Sequence, residues 1–138
     1  MFFKSFACLS FMIVLDVETT GTNPNKNSIA SIGALDFLNP TNQFYQECRI
    51  WEGAEITYEA LERNGFTREQ ITDSSKPSLE QTIKDFISWS SGCKVKVFAG
   101  HNISGFDLKF VEDSANRYKI PNFFQYRSID LHSKCCTK

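Results

Sequence analysis

The sequence predicts an α/β domain, a mixed five-stranded sheet flanked by helices. Three observations predict it. Residues 11–51 hold three apolar, β-branched runs joined by short turns. From residue 57 the apolar residues recur at helical spacing instead. Two more apolar runs, at 95–99 and 124–129, then alternate with helical segments, which places helices against a sheet containing parallel pairs.

Phe11 to Val17 is a continuous apolar run that ends in a Thr-Thr-Gly turn, and it reads as a buried strand. Ser28 to Leu38 has the same character and is stopped by Asn39-Pro40. Phe44 to Trp51 is rich in aromatic and β-branched residues, so the three runs predict an antiparallel meander. Thr57 to Asn64 reads as a short helix closed by Gly65, and Thr67 to Ile71 as one further helical turn. Ser78 with Gln81 forms a capping-box pattern, behind which Leu79, Ile83, Phe86 and Ile87 mark an amphipathic helix ending near Gly92. Val95 to Ala99 is a short strand, Phe106 to Tyr118 a second amphipathic helix, and Phe124 to Ile129 the fifth strand.

With 138 residues the chain is sized for one domain, and 41% hydrophobic residues can fill its core. The 22% charged content excludes a disordered or polybasic arm, and a net charge of −1 gives no whole-molecule pull toward nucleic acid or anionic membranes. The charge is unevenly placed. Residues 1–93 carry 7 basic and 12 acidic side chains, and residues 94–138 carry 8 and 4. Five cysteines, Cys8, Cys48, Cys93, Cys135 and Cys136, lack any regular spacing and read as thiols of a reducing cytoplasm.

The start Met1-Phe2-Phe3-Lys4 and the apolar run Phe6 to Leu15 share features with a short signal peptide. The run is too short to span a membrane, and it continues directly into Asp16-Val17-Glu18. A strand beginning near Phe11, with Met12 as an alternative start, fits better. The expectation is a cytoplasmic protein with no membrane partner. Residues 12–138 form the domain, and 1–11 an N-terminal extension or the start of the first strand. From Leu131 a helix begins that Lys138 interrupts, so the domain reads as cut short.

Asp16 and Glu18 stand two apart on a strand that otherwise reads as core, so both point to one face. Paired carboxylates there repel each other and are costly to desolvate. They call for a compensating charge, and hard oxygen ligands suit Mg²⁺ or Mn²⁺. The alternative is that both bond the following turn or lie at a solvated strand end.

The stretch Met12-Ile13-Val14-Leu15-Asp16-Val17-Glu18-Thr19-Thr20-Gly21 resembles the first motif of the DnaQ-like (DEDD) 3′–5′ exonucleases. That family includes the proofreading subunit of bacterial DNA polymerase III and ribonuclease T. Ala99-Gly100-His101-Asn102-Ile103-Ser104-Gly105-Phe106-Asp107 is similar to its second motif, H-N-x-x-F-D, with one departure. Three residues separate Asn102 from Phe106 where the commonest pattern has two, and Gly105 can absorb the extra one in a loop.

The resemblance implies a ribonuclease H-like fold and two metal ions, with Asp16, Glu18 and Asp107 as catalytic, metal-holding carboxylates. It implies a substrate pocket shaped by His101 and Asn102, and a Thr19-Thr20-Gly21 turn that receives a 3′-hydroxyl. Phe106 is either core or a stacking platform for a base, and core is the simpler reading. Lys94, Lys96, Lys109, Arg117, Lys119 and Arg127 could line the path of a single strand, or form an ordinary solvated face.

The family's third motif, H-x(4)-D or Y-x(3)-D, is absent. Asp130 and His132 have the wrong spacing and order for it, so Asp130 reads either as a support behind the site or as structural, and His132 as incidental. Loss of a general base alone would lower the rate by about 10²–10⁴-fold. The implied function is 3′–5′ hydrolysis at single-stranded DNA or RNA ends, with a DNA polymerase as a possible partner. The alternative is a catalytically incomplete module of the same fold that binds nucleic acid or docks on a polymerase.

Overall fold

The computed structural model describes residues 12–93, 97–121 and 127–130. The first run forms β1, Met12–Thr19. It pairs antiparallel with β2, Ile29–Asp36, which pairs antiparallel with β3, Gln43–Glu47. The meander is as expected, but its third strand is shorter. Cys48, Arg49 and Ile50 leave β3 to donate to the carbonyls of Ala30, Pro77 and Ile71 at 2.8–2.9 Å. These backbone groups are thus satisfied by other segments once the ladder ends.

β4, Val97–Gly100, lies parallel to β1, and β5, Arg127–Asp130, parallel to β4. The strand order is β3-β2-β1-β4-β5, a mixed five-stranded sheet with the carboxylate strand at its centre. The predicted start of the fifth strand at Phe124 lies outside the described residues, as does everything after Asp130.

Thr57 caps α1, Tyr58–Asn64, by accepting from the Ala60 N–H, and Gly65 at φ 80° closes it. In α2, Arg68–Ile71, Thr67 and Gln70 complete a reciprocal capping box. The box expected at α3, Leu79–Gly92, is only half made. Ser78 Oγ accepts from the Gln81 N–H at 3.1 Å, while the Gln81 carboxamide donates instead to Asp85 at 2.8 Å. Donation to a carboxylate one turn on is charge-assisted and is the stronger of the two bonds. After β4 comes a π turn, Ile103–Asp107, and then α4, Leu108–Arg117.

Strand alternation sorts β1 into two faces. Ile13, Leu15 and Val17 enter the main core with Ile83 and Phe86 of α3 and Phe110 and Val111 of α4. Met12 and Val14 pack on the other face with Val97, Ala99 and Ile129. Asp16 and Glu18 continue that second face toward the strand tip, as the period of two requires. Cys48 and Cys93 are buried thiols. Among the described residues no helix is long and apolar enough to cross a membrane.

Candidate active site

Asp16 is exposed and Glu18 half-buried at the end of the central strand. Asp107 joins them from the π turn, at 4% exposure. β4 is paired with β1 only as far as Val14, so Val17 lies beyond the parallel ladder. Asp107 Oδ2 accepts the Val17 N–H at 3.2 Å and so takes the place of the next strand residue. The extra residue of the second motif is absorbed in this turn. Leu108 donates to the Ile103 carbonyl five residues back, so the insertion widens one helical turn where a looser loop had been expected.

The three carboxylates influence one another. Burial raises the Asp107 pKa from 3.8 to about 7, aided by the negative charges of Asp16 and Glu18 and opposed by the Val17 N–H. Glu18 is raised by burial and then by Asp16. They line a cleft of about 450 Å³ together with Thr19, Gly21, His101, Asn102 and Phe106. Among the described residues no three His, Cys, Asp or Glu side chains converge closely enough to hold an ion outright. The donor set is nonetheless all oxygen and mutually repelling, which is the chemistry that fits a hard divalent cation. A second cavity, of about 510 Å³ against Trp51 and Tyr118, contains none of these three carboxylates.

Thr20 is the one predicted site residue whose place is in the scaffold and not in the cleft lining. Its hydroxyl donates to Glu55 O at 2.7 Å and accepts the Ser28 N–H at 2.9 Å, while its own N–H goes to Ser28 O. Thr19 Oγ1 turns back to Gly21 O at 2.6 Å.

The sequence reading missed one wall of the cleft, which α1 supplies through Glu59, Ala60, Arg63 and Asn64. Thr57 donates from both its N–H and its hydroxyl to Thr20 O, at 2.8 and 3.1 Å. Asn64 Nδ2 donates to Thr19 O at 3.0 Å. Both ends of α1 are thereby tied to the turn that follows the carboxylates. Ala60, Arg63 and Asn64 stand at i, i+3 and i+4, with Glu59 four before Arg63, a legible signal of one shared face.

Asn102 adopts left-handed geometry, φ 53°, and its N–H donates to Asp130 Oδ1 at 3.0 Å. Asp130 at the end of β5 thus holds the backbone of a cleft-lining residue. Asp130→Ala is expected to speed hydrogen exchange at the Asn102 amide by about tenfold, with Asp130→Asn close to wild type because it keeps an acceptor. Phe106 is half-buried: it packs on Phe110 at 4.9 Å between ring centroids, at the edge of the main core, and it also lines the cleft.

Among the described residues, the basic side chains of the second half, Lys109, Arg117 and Lys119, are not in the cleft lining. Lys109 approaches Asp113 at 3.7 Å, and Arg117 lies over the Trp51 ring at 3.8 Å. Lys94, Lys96, His132 and the Arg127 side chain lie outside what is described.

A central antiparallel-to-parallel strand bearing D-x-E, answered by an aspartate at a strand-to-helix junction, defines an exonuclease-type domain. The family model for exonucleases (RNase_T) matches residues 13–133, and the chain belongs to this family. It is 29% identical over 128 residues to a ribonuclease T of Vibrio parahaemolyticus, covering 80% of this chain and 57% of that protein. It is also 29% identical over 108 residues to a PolC-type DNA polymerase III of Thermotoga petrophila, covering 78% of this chain and 7% of that one.

Among solved structures, product-bound exonuclease I matches with a TM-score of 0.74 at 16% identity, over 90% of this chain and 30% of that one. E. coli exonuclease I in complex with a dT13 oligonucleotide matches with a TM-score of 0.74 and 16% identity, over 91% of this chain and 29% of that one. A zinc-bound form of its single-stranded DNA complex matches at 0.73 and 16%, with coverage of 91% and 29%. The ribonuclease H-like fold and the DnaQ-like kinship are as expected. The chain spans just over half the length of the ribonuclease T it matches.

Proposed function

We propose that this chain is a metal-dependent 3′–5′ exonuclease domain acting on the 3′ ends of single-stranded DNA or RNA. The observation that carries the reading is the meeting of Asp16, Glu18 and Asp107 in one cleft, where burial and like charge raise the Asp107 pKa to about 7. These carboxylates would hold Mg²⁺ or Mn²⁺. A bound pair of such ions supplies an activated water and a stabilised leaving oxygen.

The chain's own residues do the positioning. The Gly21 turn admits the terminal sugar, His101 and Asn102 shape the pocket around it, and the Phe106 ring gives the terminal base an apolar face. The kinship with a PolC-type polymerase supports association with a DNA polymerase. The irregular cysteines and buried Cys48 and Cys93 thiols support a reducing cytoplasm.

The test is a 5′-labelled single-stranded oligonucleotide incubated with Mg²⁺ or Mn²⁺. Stepwise shortening from the 3′ end is expected, abolished by chelator and by Asp16→Ala. Equal activity in Asp16→Ala overturns the mechanism, and internal fragments overturn the exonuclease assignment.

A second reading is a module of the same fold that binds nucleic acid without cutting it. The absence of a closed three-ligand group among the described residues favours it. It predicts oligonucleotide binding with no metal-dependent product.

A further inference from the structure

Resting on that functional reading, we infer that Arg63 is the side chain that grips a backbone phosphate of the single strand entering the cleft. Among the described residues it is the only Lys or Arg that lines the cleft, whose other described charged groups are the carboxylates of Asp16, Glu18, Glu59 and Asp107. A cleft of that sign repels a polyanion unless cations answer it.

Arg63 is exposed, and no carboxylate among the described residues forms an ion pair with it. Its place on the backbone is nevertheless fixed. It lies in the last turn of α1, next to Asn64, whose carboxamide is bonded to Thr19 O at 3.0 Å. The other end of the helix is fixed to Thr20 O through Thr57. The guanidinium is thus carried on a helix clamped to the turn beside the carboxylates. A guanidinium held on a rigid element gives two parallel donors that match phosphate geometry.

A phosphate is favoured over a base edge because the contact must serve any sequence passing through an end-acting site. The competing interpretation, that Arg63 only neutralises the acids, predicts an ion pair that is not seen among the described residues.

The experiment is fluorescence anisotropy of 5′-labelled dT8, and of dT7 ending in dG, in Ca²⁺ between 50 and 200 mM salt. Arg63→Ala is expected to weaken binding of both oligonucleotides by about tenfold and to reduce the salt slope by about 0.7. Arg63→Lys is expected to restore the slope but only part of the affinity, since it keeps the charge without the fork.

Unchanged affinity and slope in Arg63→Ala overturns the assignment. A loss confined to the dG-ended strand overturns it in favour of base reading. Unchanged oligonucleotide affinity with tighter Mn²⁺ binding overturns it in favour of a mere counter-charge. Failure of the wild-type chain to bind either strand overturns the functional reading itself.

Discussion

Asp107→Asn is expected to melt higher than wild type at pH 8 without metal, and to lose most of the wild type's gain when Mn²⁺ is added. Folding raises the Asp107 pKa from 3.8 to about 7, because burial and the nearby Asp16 and Glu18 charges disfavour its ionised form. The folded chain therefore binds this proton more tightly than the unfolded one. Stability falls as pH rises from about 4 to about 7, and the full penalty is present above that. The linkage ceiling is about 4 kcal/mol, and relaxation of the cleft brings the expected effect to about 1–3 kcal/mol.

Asparagine removes the charge yet keeps an oxygen for the Val17 N–H, which Asp107 accepts at 3.2 Å. At pH 4 the two proteins should therefore melt nearly together. A divalent cation reverses the sign at pH 8, because it is attracted by the ionised carboxylates, and at pH 5 a proton competes with it. Thermal melts at pH 4, 5 and 8, with and without Mn²⁺, read all of this. Identical melting temperatures at pH 8, or an equal Mn²⁺ gain in both proteins, would refute the electrostatic account.

Gly21→Ala is expected to destabilise the chain by about 2–4 kcal/mol and to abolish tight oligonucleotide binding. A methyl group at Gly21 would be driven into the Asn27 carboxamide. That carboxamide cannot swing aside cheaply. Its Nδ2 donates to Glu55 O at 2.9 Å and to Thr20 O at 3.4 Å, and its Oδ1 accepts the Asn23 N–H at 3.0 Å. Asn27 is 5% exposed, so losing those bonds leaves buried groups unsatisfied.

The same network carries Thr57 and hence α1, so damage at Gly21 should reach the α1 wall of the cleft. Urea midpoints give the stability change. The double variant Gly21→Ala, Asn27→Gly should lose less than the two singles together, because removing the carboxamide removes the clash. A single Gly21→Ala change with wild-type stability would show the turn to be more plastic than its hydrogen bonds imply.

Much of this site is readable in order along the chain. Asp16 and Glu18 share a face because strand side chains alternate, and that rule needs only residues two apart. Thr57 and Gly65 bracket α1 by local capping chemistry, and both ends fall where the sequence places them. Where local rules compete, the reading slips. Gln81 could cap its own helix or bond Asp85, and only the geometry of the folded turn chose the latter. Gly105 could absorb the inserted residue in a loop, yet the chain kept its hydrogen bonds by widening a helical turn.

The sequence by itself determined the α/β class, the pair of carboxylates on one strand face and the motif that places the chain among exonucleases. Tertiary structure alone decided that Asp107 would meet Val17, 90 positions away, that Thr20 would serve the scaffold while Thr19 lines the cleft, and that α1 would bring Arg63 into the same cleft as the acids. The division has one physical reason. Periodicity and capping are set by neighbours a few residues apart, whereas burial, shared hydrogen-bond partners and repulsion between carboxylates depend on which distant segments the common core brings together.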